Sequence, residues 1–215
     1  MKYLLTFTGI LIVAHLWVDP VAVAKDTIYI GVGGCTQACH KKEEDGDQRS
    51  VWRKSQHSLA YKTLGSPEAV RVAKAVGVSG SPEKAEACLV CHSTGYGTDP
   101  QGFRKSFKTE DGVQCEACHG PGDRYRIKKV MIKILKERGV NRKCTSVTAQ
   151  EAGLTFPTEQ TCKSCHVPEI TRDGKKFKNA DYKAFDFQKA FDEVKHRVPQ
   201  ERRELVVSGG VSDED

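Results

Sequence analysis

The sequence predicts a mostly α fold of short helices and loops, with little or no sheet, wrapped around a core that its own side chains do not supply. Three observations predict it. Hydrophobic residues make up 38% and charged residues 29% of 215 positions, a thin apolar supply for an ordinary core. Apolar positions recur at helical spacing in short stretches bounded by Ser-Pro or Gly. Eight of the nine cysteines stand in close pairs, each followed directly by His.

The elements follow in chain order. Met1-Lys2 is succeeded by a nearly uncharged run from Tyr3 to Val18, then Asp19-Pro20 and the small-x-small site Ala22-Val23-Ala24. This reads as a secretory signal peptide over 1–24, its apolar run short of the ~20 residues of a membrane span. The mature chain is then 25–215, one domain with no membrane span, exported to the periplasm or beyond. Lys41 to Arg49 reads as a charged loop. Ser66-Pro67-Glu68 and Ser81-Pro82-Glu83 each look like a helix start, with Ser as cap and Pro at the first helical position; the second leads into Cys88. Ile127, Val130, Met131, Ile134 and Leu135 follow helical spacing up to Gly139. Phe187, Ala190, Phe191 and Val194 form another apolar face, stopped before Pro199. Val211 to Asp215 is an acidic tail.

The cysteine spacing carries the chemistry. Three pairs are regular: Cys88-Leu-Val-Cys91-His92, Cys115-Glu-Ala-Cys118-His119 and Cys162-Lys-Ser-Cys165-His166. The fourth, Cys35-Thr-Gln-Ala-Cys39-His40, is one residue longer. Cys-x-x-Cys-His is the attachment signature of haem c. Two thiols on one helical turn add to the two vinyl groups, and the adjacent His becomes the proximal iron ligand. Its other ring nitrogen typically donates to a backbone carbonyl. Four motifs imply four covalently attached haems held by Cys35, Cys39, Cys88, Cys91, Cys115, Cys118, Cys162 and Cys165, with His40, His92, His119 and His166 on the irons. Zinc would not require a His after every pair. Macrocycles in the core also account for the scarcity of apolar side chains. The extra residue of the first motif must bulge, which Gly33-Gly34 would permit; that haem is then held by one thioether, through Cys39 alone, or by two. Cys144 is left over, as a small buried residue or a distal or redox thiol. The net charge of +6 says little about partners, because haem propionates offset it, and export argues against nucleic acid.

Gly112-Val-Gln-Cys115-Glu-Ala-Cys118-His119-Gly-Pro-Gly122 closely resembles a segment of the cytochrome c-554 family, tetrahaem carriers of ammonia oxidation. Cys88 to Gly97, with its Gly95-Tyr96-Gly97, is similar to that family too. So are Trp52 followed five residues later by His57, and the block Lys176 to His196. The resemblance runs from about Gly34 to Leu205, with all four motifs in matching order. It implies a mostly helical fold with stacked haem pairs and a shuttle for electrons from an oxidising enzyme complex. It also implies that His57 and His196 are distal ligands. The family's third distal His would fall at Lys128, a departure. Lys128 or Met131 would then coordinate, or serve as a solvated face residue and a core filler.

Ligand arithmetic follows. Of seven His, His15 leaves with the leader, four are proximal, and only His57 and His196 remain for four distal positions. His196 lies about 180° around from the apolar face of the Phe187 helix, so either a haem sits on that side or the helix distorts before Pro199. The expected function is electron transfer between a donor and an acceptor redox protein, with an oligomer left open. The alternatives are an enzyme reducing nitric oxide, nitrite or hydroxylamine at a five-coordinate haem, and a subunit of a haem polymer.

Overall fold

The structure is a computed structural model, and it describes residues 27–43, 46–98, 102–127, 130–131, 151–172, 174–180 and 182–196. The leader, Lys128, Cys144, Gly139 and the acidic tail lie outside the described residues, as does the side chain of Cys39.

Short helices dominate, as expected. In chain order they are α1 (Gly31–Cys35), α2 (Gln48–Lys54), α3 (Ala60–Thr63), α4 (Pro67–Ala75), α5 (Glu86–His92), α6 (Cys115–His119), α7 (Glu159–Lys163) and α8 (Phe187–Val194). Strands β1 (Glu169–Arg172) and β2 (Lys175–Lys178) form one antiparallel hairpin, with Ile170 opposite Phe177. Gly174, just before β2, has a φ of +74°, the left-handed backbone a tight hairpin turn needs. None of the described helices is long and apolar enough to cross a membrane.

Local chemistry explains most helix ends. Ser66 caps α4, accepting from Ala69 N, with Pro67 in the first turn. Ser81-Pro82-Glu83 starts only a 3-10 turn, Pro82–Lys84, and the Ser81 side chain makes no cap bond; α5 then begins at Glu86. The charged loop is shorter than expected. Asp47 caps α2 by accepting from Ser50 N, so Arg49 is already helical. In α8, Phe187, Ala190, Phe191 and Val194 are half-buried and the other four residues exposed. That helix is capped by Asp186 and ends at Val194, where Lys195 turns to extended backbone. His196 therefore sits beyond the helix, which removes the conflict with its apolar face.

The side-chain core is small. Among the described residues, the buried apolar side chains are Ile30, Val32, Leu64, Ala73, Leu89, Val90, Tyr125, Ala152 and Ile170. Met131 packs with Val130 and Leu154 against Tyr125 and Ala152, the core-filler role. Buried polar groups join distant segments. Val32 N donates to Gln114 Oε1 at 2.7 Å, and Gln114 N donates to Thr94 Oγ1 at 2.7 Å. Glu116 accepts from Ile30, Gly31 and Gly122 N–H groups. Thus α6 is tied to the start of α1, eighty-odd residues earlier, through hydrogen bonds rather than apolar packing.

Candidate haem-binding site

Each motif is presented by a short helix or turn. In the second and third, both cysteines and the His lie on one continuous helix, α5 or α6. In the fourth, α7 begins at a capping box between Thr158 and Thr161. It passes into a turn in which Cys165 N and His166 N both donate to Cys162 O. The irregular first motif differs. Helix α1 stops at Cys35, Thr36 N closes on Val32 O, and a 3-10 turn over Ala38–Lys41 carries His40. The extra residue is absorbed by this break after Cys35. Gly33 and Gly34 lie within α1, so the extra residue is accommodated after Cys35 and not by these glycines.

Backbone carbonyls orient two of the motif histidines. His92 Nδ1 lies 2.7 Å from Ala60 O and His119 Nδ1 lies 3.0 Å from Thr155 O. A carbonyl can only accept, so Nδ1 carries the proton and Nε2 keeps its lone pair for a metal. Thr155 reinforces the third motif. Its N donates to His119 O at 3.0 Å, and its Oγ1 donates to Cys118 O at 2.9 Å. His166 stacks on Phe185, with centroids 4.7 Å apart.

The tertiary fold then brings histidines together. The His57 ring faces His166 at 6.1 Å between centroids, and His196 faces His119 at 5.7 Å. A metal bound about 2 Å from a nitrogen of each of two opposed imidazoles holds their centroids roughly 6 Å apart. Both pairs therefore fit bis-histidine iron. Burial, and after it the neighbouring His166, keeps the His57 pKa below its ordinary value. His196 is exposed to solvent. Loss of solvation beside neighbouring residues, then His119 and His40, still hold its pKa below its ordinary value. Both are thus poised as neutral imidazoles, the form that ligates.

His57 is placed by the segment that precedes the third motif. Val113 N donates to His57 O at 3.0 Å, and Trp52 Nε1 donates to Val113 O at 2.9 Å. Gly112 makes this possible. Its φ is +68°, and a Cβ there would lie 2.8 Å from His57 O. Gly112→Ala is expected to cost about 1–3 kcal/mol in backbone strain and to push His57 outward. The result should be a lower melting temperature and a partial high-spin signal, checked by melting and spin-resonance spectra. Gly120, the first glycine of the Gly-Pro-Gly signature, is similar: its φ is +75° and a Cβ would lie 2.7 Å from Gly153 O.

No such imidazole faces His92 among the residues lining its pocket. A cavity of about 350 Å³ opens there, walled by Leu64, Ala69, Val72, Ala73, Val76 and Ile170, with Cys88, Cys91 and Cys165 at its edge. It is apolar and flanked by both thiols of the motif, the surroundings a macrocycle needs.

The thiols also cluster across motifs. The Cys35 thiol lies beside Cys115, and the Cys91 thiol beside Cys165. The shared protons push Cys35 and Cys91 up and Cys115 and Cys165 down, the last to about 6. Burial, then Cys162, Cys115 and Cys165, pushes Cys118 up to about 11. The motifs are thus arranged first–third–fourth–second. None of the described cysteines is in a disulfide, and no three described His, Cys, Asp or Glu side chains converge as a zinc ion would require. The carbonyls of Ala60 and Thr155 and the carboxylate of Glu116 had no signal in the sequence, because backbone groups and long-range hydrogen bonds leave none.

The profile of the family described as Cytochrome c554 and c-prime matches residues 35–120. Cytochrome c-554 of Nitrosomonas europaea is 27% identical over 150 residues, covering 68% of this chain and 60% of that protein. This chain therefore spans about 60% of the length of the curated relative it matches. No solved structure matches the chain.

Proposed function

We propose, from its likeness to the cytochrome c-554 family, that this chain is an exported tetrahaem carrier passing electrons between a donor and an acceptor redox protein. Covalently bound haem c and an electron-carrying role go with the family. The count of four, the exported location and the two partners are the finer reading. The observation that carries it is the pair of facing imidazoles, His57 with His166 and His119 with His196. A haem supplies an iron that accepts and releases one electron, and fixed paired ligands keep its geometry the same in both states. The Ala60 and Thr155 carbonyls fix the proximal rings. The first–third–fourth–second order of thiol clusters supports a continuous path through the four motifs.

One observation favours a second reading. No second imidazole and no thioether is among the described residues lining the cavity before His92, so a small molecule has room to bind there. A haem enzyme reducing nitric oxide, nitrite or hydroxylamine would use such a place. The expected result for the carrier is an intact mass equal to polypeptide 25–215 plus four haems, with one or more high-spin irons that take up carbon monoxide without turnover. Rapid consumption of nitric oxide, nitrite or hydroxylamine with a reductant present would move the assignment to the enzyme. Unmodified thiols at Cys88, Cys115 or Cys162 would overturn both.

A further inference from the structure

Two charges of opposite sign stand at the two thiol clusters. Glu116 is 2% exposed. Its Oε1 accepts from Ile30 N at 2.9 Å and Gly122 N at 2.7 Å, and its Oε2 from Gly31 N at 2.8 Å. Three N–H donors on both oxygens favour the anion, while burial opposes it and raises the pKa above its ordinary value. No lysine or arginine pairs with Glu116 among the described residues. Its field reaches both Cys35 and Cys115. Asp123 adds the same sign. Arg126 opposes it at Cys35 but is exposed, so water screens it.

Arg172 is the counterpart. It leaves β1 and donates from Nη1 to Val90 O at 2.9 Å, within the second motif. Its guanidinium also bonds the Cys165 thiol of the fourth motif, and its charge is felt at Cys91. No carboxylate pairs with it among the described residues. Arg172 is only half-buried, so its effect is the more screened of the two.

We propose that Glu116 and Arg172 set an internal potential difference, lowering the potentials of the haems on the first and third motifs and raising those on the second and fourth. The inference rests on the tetrahaem reading above. An anion in a low-dielectric site opposes the arrival of an electron beside it, and a cation favours it. The bias acts on a one-electron exchange in which one iron is oxidised as another is reduced, with no proton or further reactant. For haems of like ligation, an electron delivered by a donor protein is therefore biased toward the second and fourth motifs.

The test is a spectroelectrochemical titration of the holoprotein, after intact mass has established four haems. Fewer than four would break the tetrahaem reading, separately from the charge bias. In Glu116→Gln, two haems should become easier to reduce by about tenfold in equilibrium constant, 59 mV for a one-electron couple. In Arg172→Gln, the other two should shift the opposite way by a smaller amount, and Arg172→Lys should restore the wild-type values. Loss of packing alone would move all four haems together and lower the melting temperature equally in Arg172→Lys, and that outcome overturns the proposal. So do unchanged potentials in both Gln variants. If Glu116→Gln does not accumulate, the opposite response of Arg172→Gln and Arg172→Lys decides the matter alone.

Discussion

Replacing His57 with Ala is expected to turn one low-spin haem high-spin while leaving the haem count unchanged, and His196→Ala should do the same to a different haem. The argument is geometric. Each side chain faces one proximal ring, His166 at 6.1 Å and His119 at 5.7 Å, so each deletion empties one axial position of one iron. Covalent attachment through Cys162 and Cys165, or through Cys115 and Cys118, is untouched, so mass stays constant. Axial ligation sets haem potentials over a range of ~0.8 V, so the altered haem should also shift its potential by far more than a nearby charge would move it. Spin-resonance and absorption spectra of the oxidised protein read the first effect, and potentiometry the second. The double variant should show the two changes added, since the sites have no common ligand. If both single variants keep the wild-type spectrum, the facing rings are structural and the distal assignment is wrong.

The other large effect is on folding. A chain with Cys88 and Cys91 both replaced by Ala is expected to lose one haem and most of its stability. The pocket in front of His92 has a volume of about 350 Å³. A sealed void of that size would cost on the order of 8 kcal/mol at about 24 cal/mol per Å³; this pocket is partly open to water, so the loss is smaller but still a large share of the ~5–15 kcal/mol that holds a whole domain together. Little else is available to compensate. The buried apolar residues of the described chain are few and scattered over several elements, and α5, with Leu89 and Val90 buried, forms one wall of the same pocket. Thermal melting followed by circular dichroism should show a drop of tens of degrees or no cooperative transition, and intact mass should show one haem fewer. A variant that melts near the wild type would mean that side chains, not macrocycles, supply the core.

Much of this protein was legible in its sequence, and what was legible is local. Two thiols and a histidine within five residues need only one helical turn, so the three regular motifs announced their chemistry without knowledge of the fold. The start of α4 at Ser66-Pro67 and the apolar face of α8 were readable for the same reason: a cap or a 3.6-residue stripe is a short-range property. Even the scarcity of apolar residues was informative, since it required a core from elsewhere. His57 and His196 could be singled out because spare histidines are so few, but not paired. Local rules also misjudged some boundaries. Ser81 makes no cap bond, and Arg49 belongs to α2 because Asp47 caps the helix earlier than the charge pattern suggested. Only the tertiary structure decided that His57 faces His166 across more than a hundred residues, and that His196 meets His119. It also decided that Cys35 joins Cys115 while Cys91 joins Cys165, and that Glu116 is buried where Arg172 is not. These relations follow from chain reversal and from hydrogen bonds between distant backbones, such as Ile30 to Glu116. No residue type or spacing along the chain encodes which partner a side chain will meet, so the contents of the site were written in the sequence and its connectivity in the fold.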